Sequence, residues 1–272
     1  MPEKPRFEPL LPAHAIERCA ATVVFASPLP ANAVQQAVRA AAAEIAEWSQ
    51  LQPAQSVGVA ITFDTKTGKV SLTQPANSFT YELGPDGSQL SVMPNIVIWQ
   101  TSKYVRWKPF SGQFSTFAAP IVERFLEHAA INAVKLEYWD RFVWTGLQTD
   151  MDPALLLREN LRLVAPFVVQ KGKVWHSHCG WFEPGPAGCR RLTNVNVDVV
   201  DVAVRPNEPL RPTIGIYTML QDDHSVGGAT RINEVVSVSS KLHGLHSALK
   251  ALLDSIISEE MAERISLRVG DI

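Results

Sequence analysis

The chain has few cysteines and no long apolar run. Its three cysteines, Cys19, Cys179 and Cys189, are an odd number at spacings that match no disulfide framework, so we expect reduced thiols. No apolar stretch approaches the roughly 20 residues of a transmembrane helix. The first twelve residues hold four prolines and several charges in place of the apolar segment of an export signal. We therefore predict a cytoplasmic protein that does not bind a membrane.

An excess of one charge is also absent. The 25 lysines and arginines are balanced by 27 aspartates and glutamates, which leaves a formal net charge of −2. A nucleic-acid-binding surface normally requires clustered positive charge. Nucleic acid is therefore an alternative partner that the composition does not favour.

The sequence further lacks the short motifs of common enzymes. It has no phosphate-binding Walker loop, no dinucleotide-binding glycine pattern and no Gly-x-Ser-x-Gly nucleophile turn. An enzyme would have to assemble its active site from residues far apart in the chain. These absences favour a non-enzymatic binding or interaction protein, and no cofactor is predicted.

What the chain does contain is one order of secondary structure that occurs twice. After an extended arm over residues 1–18, the segments 19–131 and 132–272 are each predicted as strand, helix, three strands and helix. Antiparallel strands with helices on one side are the natural packing for this order. We predict an α+β fold in which two such halves form a curved, mostly antiparallel sheet with helices on one face. The halves are either two domains or one continuous domain.

Several local patterns make specific predictions. Alternating apolar residues predict a strand over 57–63. Pro120 lies within a helical pattern, so that helix should begin near Phe117, where the missing proline N–H does no harm. Asp152 followed by Pro153 predicts the start of a helix with its apolar face over 155–163. The clearest helix is the last one, whose apolar residues recur at helical spacing: Leu242, Leu245, Leu249, Leu252 and Ile256.

Four segments stand out by their order and spacing. They are the aromatic residues Tyr104, Trp107 and Phe110, the strand 136–142 (Leu-Glu-Tyr-Trp-Asp-Arg-Phe), the helical segment 242–246 (Leu-His-Gly-Leu-His) and the segment 257–260 (Ile-Ser-Glu-Glu). Together they resemble a bacterial protein family that is known only as sporadically distributed and of unknown function. The resemblance covers nearly the whole chain. It implies a bacterial cytoplasmic α+β protein and no particular reaction, and the patchy distribution favours an accessory role in a defence or toxin–antitoxin system.

Alternating polar residues on two predicted neighbouring strands form the best candidate site. His176 and His178 share one face of the first strand, and Asn194, Asn196 and Asp198 share one face of the second. If the strand register aligns these rows, two imidazoles, two amides and a carboxylate meet, whereas a shift by one residue separates them. The sequence does not fix this register. Aligned rows would bind a polar ligand, act in acid–base catalysis or, as a weaker prediction, bind a metal through His176 and His178. The alternative is an ordinary solvated sheet face.

Asp140 and Arg141 are the second candidate site. Asp140 interrupts an apolar row, and a buried carboxylate needs a partner or a raised pKa. One interpretation is an ion pair or backbone hydrogen bonds that hold the sheet together. The other is a polar group that faces a central cavity. For a hydrolase or nuclease, the catalytic candidates are therefore His176, His178, Asp198 and Asp140.

The remaining candidates have more ordinary explanations. His176 and His178 together with Cys189 match no standard zinc module, so no metal site is predicted. The aromatic residues Trp99, Tyr104, Trp107 and Phe110 are expected in the core, and a hydrogen-bonding role is expected for His243 and His246.

In a nucleic-acid-binding protein, four arginines of the second half would contact phosphates: Arg190, Arg191, Arg205 and Arg211. Acidic residues lie among them in the sequence and dilute the positive charge. For a protein partner or a small polar ligand, the predicted binding residues are Asn194, Asn196, Arg141, Arg190 and Arg191.

Overall fold

The computed structural model describes residues 5–11, 14–53, 60–63, 70–73, 78–84, 87–159, 161–165, 174–203, 208–225 and 232–268. Its strands are β1 (Phe7–Pro9), β2 (Ile16–Phe25), β3 (Leu51–Pro53), β4 (Ala60–Phe63), β5 (Val70–Thr73), β6 (Phe79–Leu83), β7 (Ser88–Met93), β8 (Ile96–Thr101), β9 (Ile131–Trp144), β10 (Trp175–Pro184), β11 (Arg190–Val202) and β12 (Arg211–Asp223). Its α-helices are α1 (Ala31–Glu44), α2 (Trp107–Gln113), α3 (Ala119–Leu126), α4 (Val235–Ile256) and α5 (Glu259–Arg264).

Ten strands form one antiparallel sheet. Its order is β10-β11-β12-β9-β2-β8-β7-β6-β3, and β1 pairs with β9 beside this path. Strands β4 and β5 pair only with each other. The predicted α+β class with an antiparallel sheet is confirmed. Of the strand predicted over 57–63, Ala60–Phe63 is observed, and 57–59 lie outside the described residues.

Strand β9 is the centre of the sheet because it pairs with three other strands. β12 lies along one side of it, and β2 and then β1 lie along the other. Successive side chains of β9 point to opposite faces. Leu136, Tyr138 and Phe142 are buried against the helices, so we call this side the helix face. The opposite side, which carries Glu137 and Trp139, is called the open face.

The helix face is covered by two clusters of buried apolar side chains. The larger one joins α1, α2, α3 and the first part of α4 to the sheet, and the smaller one joins the end of α4 and α5 to Phe142 and Trp144. The predicted stripe of α4 is the bridge between the clusters, since Leu252 packs against both. Each fully buried leucine or phenylalanine contributes about 1.5–3 kcal/mol, so this stripe determines which side of α4 meets the sheet.

The helix that contains Pro120 begins close to the predicted point. This helix, α3, starts at Ala119 and has Pro120 in its first turn. The prediction did not include α2, which begins at Trp107 and is joined to α3 by a π-helical turn over Phe114–Ala118. Proline has no N–H to donate, so a regular helix would be interrupted at this point. The wider turn precedes Pro120 and lets the helix continue through it.

The helix predicted after Asp152 is wrong for the described residues. Asp152 does accept a hydrogen bond from the Ala154 N–H at 2.9 Å, but only a 3₁₀ turn over Pro153–Leu155 follows. The backbone then bonds to the end of α4: the N–H of Arg158 donates to the carbonyl of Ile256. These tertiary hydrogen bonds replace the ones that a helix would make within itself.

Residues distant in the chain hold β1 in place. Arg264 of α5 donates a hydrogen bond to the carbonyl oxygen of Phe7 at 3.2 Å and pairs with Glu8 at 3.1 Å.

None of the helices in the described part of the chain is long and apolar enough to cross a membrane.

Candidate functional site

The register between β10 and β11 brings the two predicted polar rows together. His176 lies opposite Asp198, and His178 lies opposite Asn196. Residues directly opposite each other in an antiparallel pair share a face. Both histidines are exposed, and Asn194 lies opposite Gly180 on the same face. The imidazoles, amides and carboxylate therefore form one patch at the β10 end of the open face.

Asp198 extends from this patch towards the middle of the sheet. Its carboxylate lies over Gly215, where an added Cβ would be 2.7 Å from Oδ1, so only glycine leaves it this space. Oδ2 is 3.9 Å from Nη1 of Arg141. Burial raises the pKa of Asp198, and the charges of Arg141 and His176 oppose that rise. Arg141 also donates to Glu17 at 2.8 Å and to Thr213 at 3.0 Å, so its guanidinium is fixed in position.

Four further residues, Arg18, Glu137, Trp139 and Tyr217, form what we call the central cluster of the open face. The Arg18 guanidinium lies 4.7 Å from the centroid of the Trp139 ring, and that ring is 5.0 Å from the ring of Tyr217. The Tyr217 hydroxyl donates to Glu137 at 2.7 Å. Burial and this hydrogen bond raise the pKa of Tyr217. The cluster thus presents aromatic surface in a fixed arrangement.

Sequence reasoning missed the central cluster although a signal for it was present. Leu136 and Tyr138 predict one face of β9, and simple alternation then places Glu137 and Trp139 on the other. Arg18 and Tyr217 could be added only once the pairings of β2 and β12 with β9 were known.

No protein-family model matches this chain, and no curated protein sequence matches it.

Asp140 does not belong to the open-face patch. It follows Trp139 directly, so its side chain points to the helix face, where it is 2% exposed. Burial alone raises its pKa to about 7. The four residues proposed for a hydrolase or nuclease therefore do not meet: His176, His178 and Asp198 lie on one face of the sheet, and Asp140 lies on the other. Asp140 and Arg141 do not form an ion pair for the same reason.

The arginines of the second half are dispersed rather than clustered. Arg190 pairs with Asp223 at 2.9 Å and lies 4.8 Å from the centroid of the Phe182 ring. Arg191 lies on the helix face and makes a two-pronged ion pair with buried Asp222. Arg211 donates to the carbonyl oxygen of Trp144 at 3.0 Å, and Arg205 lies outside the described residues. This arrangement provides no continuous positive surface among the residues that the structure describes.

The weak zinc hypothesis gains no support from the geometry. Within the described ranges, no three histidine, cysteine or acidic side chains lie close enough together to hold a metal ion. His176 and His178 are exposed on the open face, whereas Cys189 is 3% exposed, and burial together with the nearby Asp222 raises the pKa of its thiol.

The predicted core role of the aromatic residues is confirmed. Trp99, Tyr104, Trp107 and Phe110 are all buried. His243 accepts a hydrogen bond from the Trp107 indole at 2.5 Å, as expected for a histidine with a hydrogen-bonding role.

Proposed function

We propose that this protein is a non-enzymatic binding protein whose open face docks a protein partner. The observation that carries the proposal is the central cluster, which places Arg18, Trp139 and Tyr217 side by side on the sheet face turned away from the helices. Tryptophan, tyrosine and arginine are the residue types that most often dominate binding energy at protein interfaces. Rings held in place by neighbours also lose little conformational freedom on binding.

The size of the open face fits a protein partner. Six neighbouring strands, from β10 to β8, lie at about 4.8 Å spacing, and about eight residues of each at about 3.4 Å give roughly 800 Å². A typical specific interface buries about 800 Å² on each partner.

The charges of the open face favour a protein over a nucleic acid. Arg141 faces Glu17 and Asp198, and Lys135 pairs with Glu137 at 2.8 Å. Since these cations are already matched by carboxylates, little positive charge remains for a phosphate backbone. The amides of Asn194 and Asn196 add hydrogen-bonding capacity at the edge of the interface, where polar residues are common.

Two finer points belong to the same proposal. We infer that the sheet combines two related halves, because β2 pairs with β8 of the meander β6-β7-β8, and β9 pairs with β12 of the meander β10-β11-β12. The resemblance of the sequence to the sporadically distributed bacterial family supports a cytoplasmic accessory role, in a defence or toxin–antitoxin system.

Two open-face variants, Trp139→Ala and Arg18→Glu, test the proposal. We expect each to weaken binding of the partner at least 30-fold, because loss of a central anchor residue typically costs 2 kcal/mol or more. The partner would be captured from the native bacterium with the full chain, identified, purified and titrated against each variant. Arg18 is exposed, so its replacement leaves the core intact.

The control variant for this experiment is Val236→Ala, at a 73% exposed residue on α4. It should bind the partner as the unchanged protein does. Equal affinity of all variants would overturn the proposal, as would finding that the only species bound is a nucleic acid or a second copy of this chain.

A further inference from the structure

A cavity of about 250 Å³ lies on the helix face, away from the proposed docking surface. It is enclosed by β9, the start of α2, the second half of α4 and the segment after α5, and Asp140, His14, Tyr104, Trp107, His246 and Lys250 are among its lining residues. At about 30 Å³ per water molecule, it has room for about eight waters or one small organic molecule.

An irregularity in the sheet lies beside this cavity. The pairing of β2 with β9 shifts between Ile16 and Arg18, opposite Asp140, where Glu17 is the extra residue. A bulge bends its strand and redirects the neighbouring side chains, and bulges are frequent next to functional sites. Here the bulge lies near the start of β2, shortly after His14, and Ile16 beside it pairs with Asp140.

Asp140 is a buried acid with one carboxyl oxygen left unpaired by the described residues. Its side chain is 2% exposed, and Oδ2 has no hydrogen-bond partner within the part of the chain that the structure describes. Leaving a buried polar atom unpaired normally costs about 1–3 kcal/mol, and more for a charged one. Native structures rarely contain such atoms, and an acid of this kind beside a cavity is normally satisfied by a ligand, an ion or ordered water.

The aromatic walls of the cavity are held rigidly. Trp107 stacks on His246 with 4.3 Å between ring centroids and an interplanar angle of 4°. Nδ1 of His246 shares a hydrogen bond of 2.6 Å with the Tyr138 hydroxyl. On the other side, Tyr104 packs edge-on against His14 at 5.5 Å. Each ring is fixed by a second one, so the cavity is formed before any ligand arrives.

The chemistry of the lining selects the ligand. The Asp140 oxygen that the described residues leave unpaired can accept hydrogen bonds from a group with several N–H donors, and a positive charge on that group strengthens the contact. Aromatic rings accept both the hydrocarbon part of such a molecule and the face of a cation. Lys250 and Arg106 also line the cavity, so a molecule with a second positive charge is disfavoured.

From these observations the geometry points to a binding site for a compact primary amine that carries one positive charge. Its ammonium group donates to Asp140, and its hydrocarbon chain lies against Trp107 and Tyr104. This site is independent of the proposed partner surface, because the two lie on opposite faces of the sheet.

The test compares butylamine, butanol and 1,4-diaminobutane with the full chain, by calorimetric titration at pH 8. We expect butylamine to bind at least tenfold more tightly than the other two and to shift the Trp107 indole N–H signal in nuclear magnetic resonance spectra. Asp140→Asn should weaken butylamine binding at least tenfold. Asp201→Asn, an exposed acid elsewhere in the chain, should leave it unchanged.

The dependence of binding on pH gives a second readout. The amine stays protonated while Asp140 loses its proton, and the pKa of Asp140 is about 7, so affinity should rise between pH 6 and pH 8. His14, Arg106, His246 and Lys250 also face the cavity, and the pKa of His14 is lowered by burial and by Arg106. Because the Asp140→Asn variant retains all four, a pH dependence that persists in it would overturn the assignment. So would equal binding of butanol, or an absence of amine binding.

Discussion

Asp140→Asn is expected to be more stable than the unchanged protein above pH 7, by about 4 kcal/mol. Burial raises the pKa of Asp140 from 3.8 to about 7 in the folded state, and each pKa unit corresponds to about 1.36 kcal/mol. Between these two pKa values the folded chain retains a proton that the unfolded chain has lost. The contribution of Asp140 to the free energy of unfolding therefore falls as pH rises through this range and levels off above pH 7. Asparagine is uncharged at every pH, so the free energy of unfolding of the Asp140→Asn variant does not fall in this way.

The measurement is urea denaturation of both proteins at pH 4, 6 and 8. The advantage of asparagine should be small at pH 4, intermediate at pH 6 and largest at pH 8. The exposed control Asp201→Asn should show a nearly constant difference across the same range. A constant difference for Asp140→Asn, or lower stability at pH 8, would show that the Asp140 carboxyl is not penalised by burial. A gain in stability combined with loss of amine binding would identify Asp140 as a residue retained for function.

Arg191→Met is expected to destabilise the protein by about 3–5 kcal/mol. Arg191 donates to both oxygens of Asp222, at 2.7 Å and 3.0 Å, and Asp222 is only 1% exposed. Removing one member of a buried pair leaves the other charge in the protein interior without compensation. The double variant Arg191→Met/Asp222→Leu should recover most of the loss, because it removes both charges and keeps apolar volume. Denaturant titrations of the two variants measure both effects.

The adjacent ion pair provides a matched control. Arg190 pairs with Asp223 at 2.9 Å, but the Arg190 side chain is 51% exposed and water screens the interaction. Arg190→Met should therefore cost less than about 1 kcal/mol. If the Arg190 and Arg191 variants lose equal stability, burial is not what makes the Arg191 pair important.

Local patterns in the sequence predicted the elements that depend on local forces. The leucine stripe of α4 follows from helical periodicity, and it is present. The helix predicted after Asp152 failed because the backbone of Leu156 and Arg158 bonds to residues about 100 positions away. The helix start predicted near Phe117 is close to the observed start of α3 at Ala119, but the π turn that joins α3 to α2 was not predicted. Periodicity contains no information about either arrangement.

For the candidate sites too, the sequence predicted local features but not the contacts between distant segments. The sequence identified His176 and Asp198 as members of two polar rows, yet only the register of β10 against β11 shows that they meet. It also identified Asp140 as an acid within an apolar row. Its surroundings could not be predicted, since His14 and His246 come from segments more than 100 residues to either side.

The contact between Arg264 and the arm at Phe7 has a consequence for how the chain folds. The two residues are 257 positions apart, so this contact cannot form on the ribosome until α5 has emerged. Strand β1 thus waits for α5 before Arg264 secures it, and while β1 is unsecured the edge of β9 at Trp144 is open to pairing with other chains. The pairing of β1 with β9 itself joins Phe7 to Trp144. Pairings between strands so distant in the sequence slow folding, which prolongs the interval in which aggregation competes with completion of the sheet.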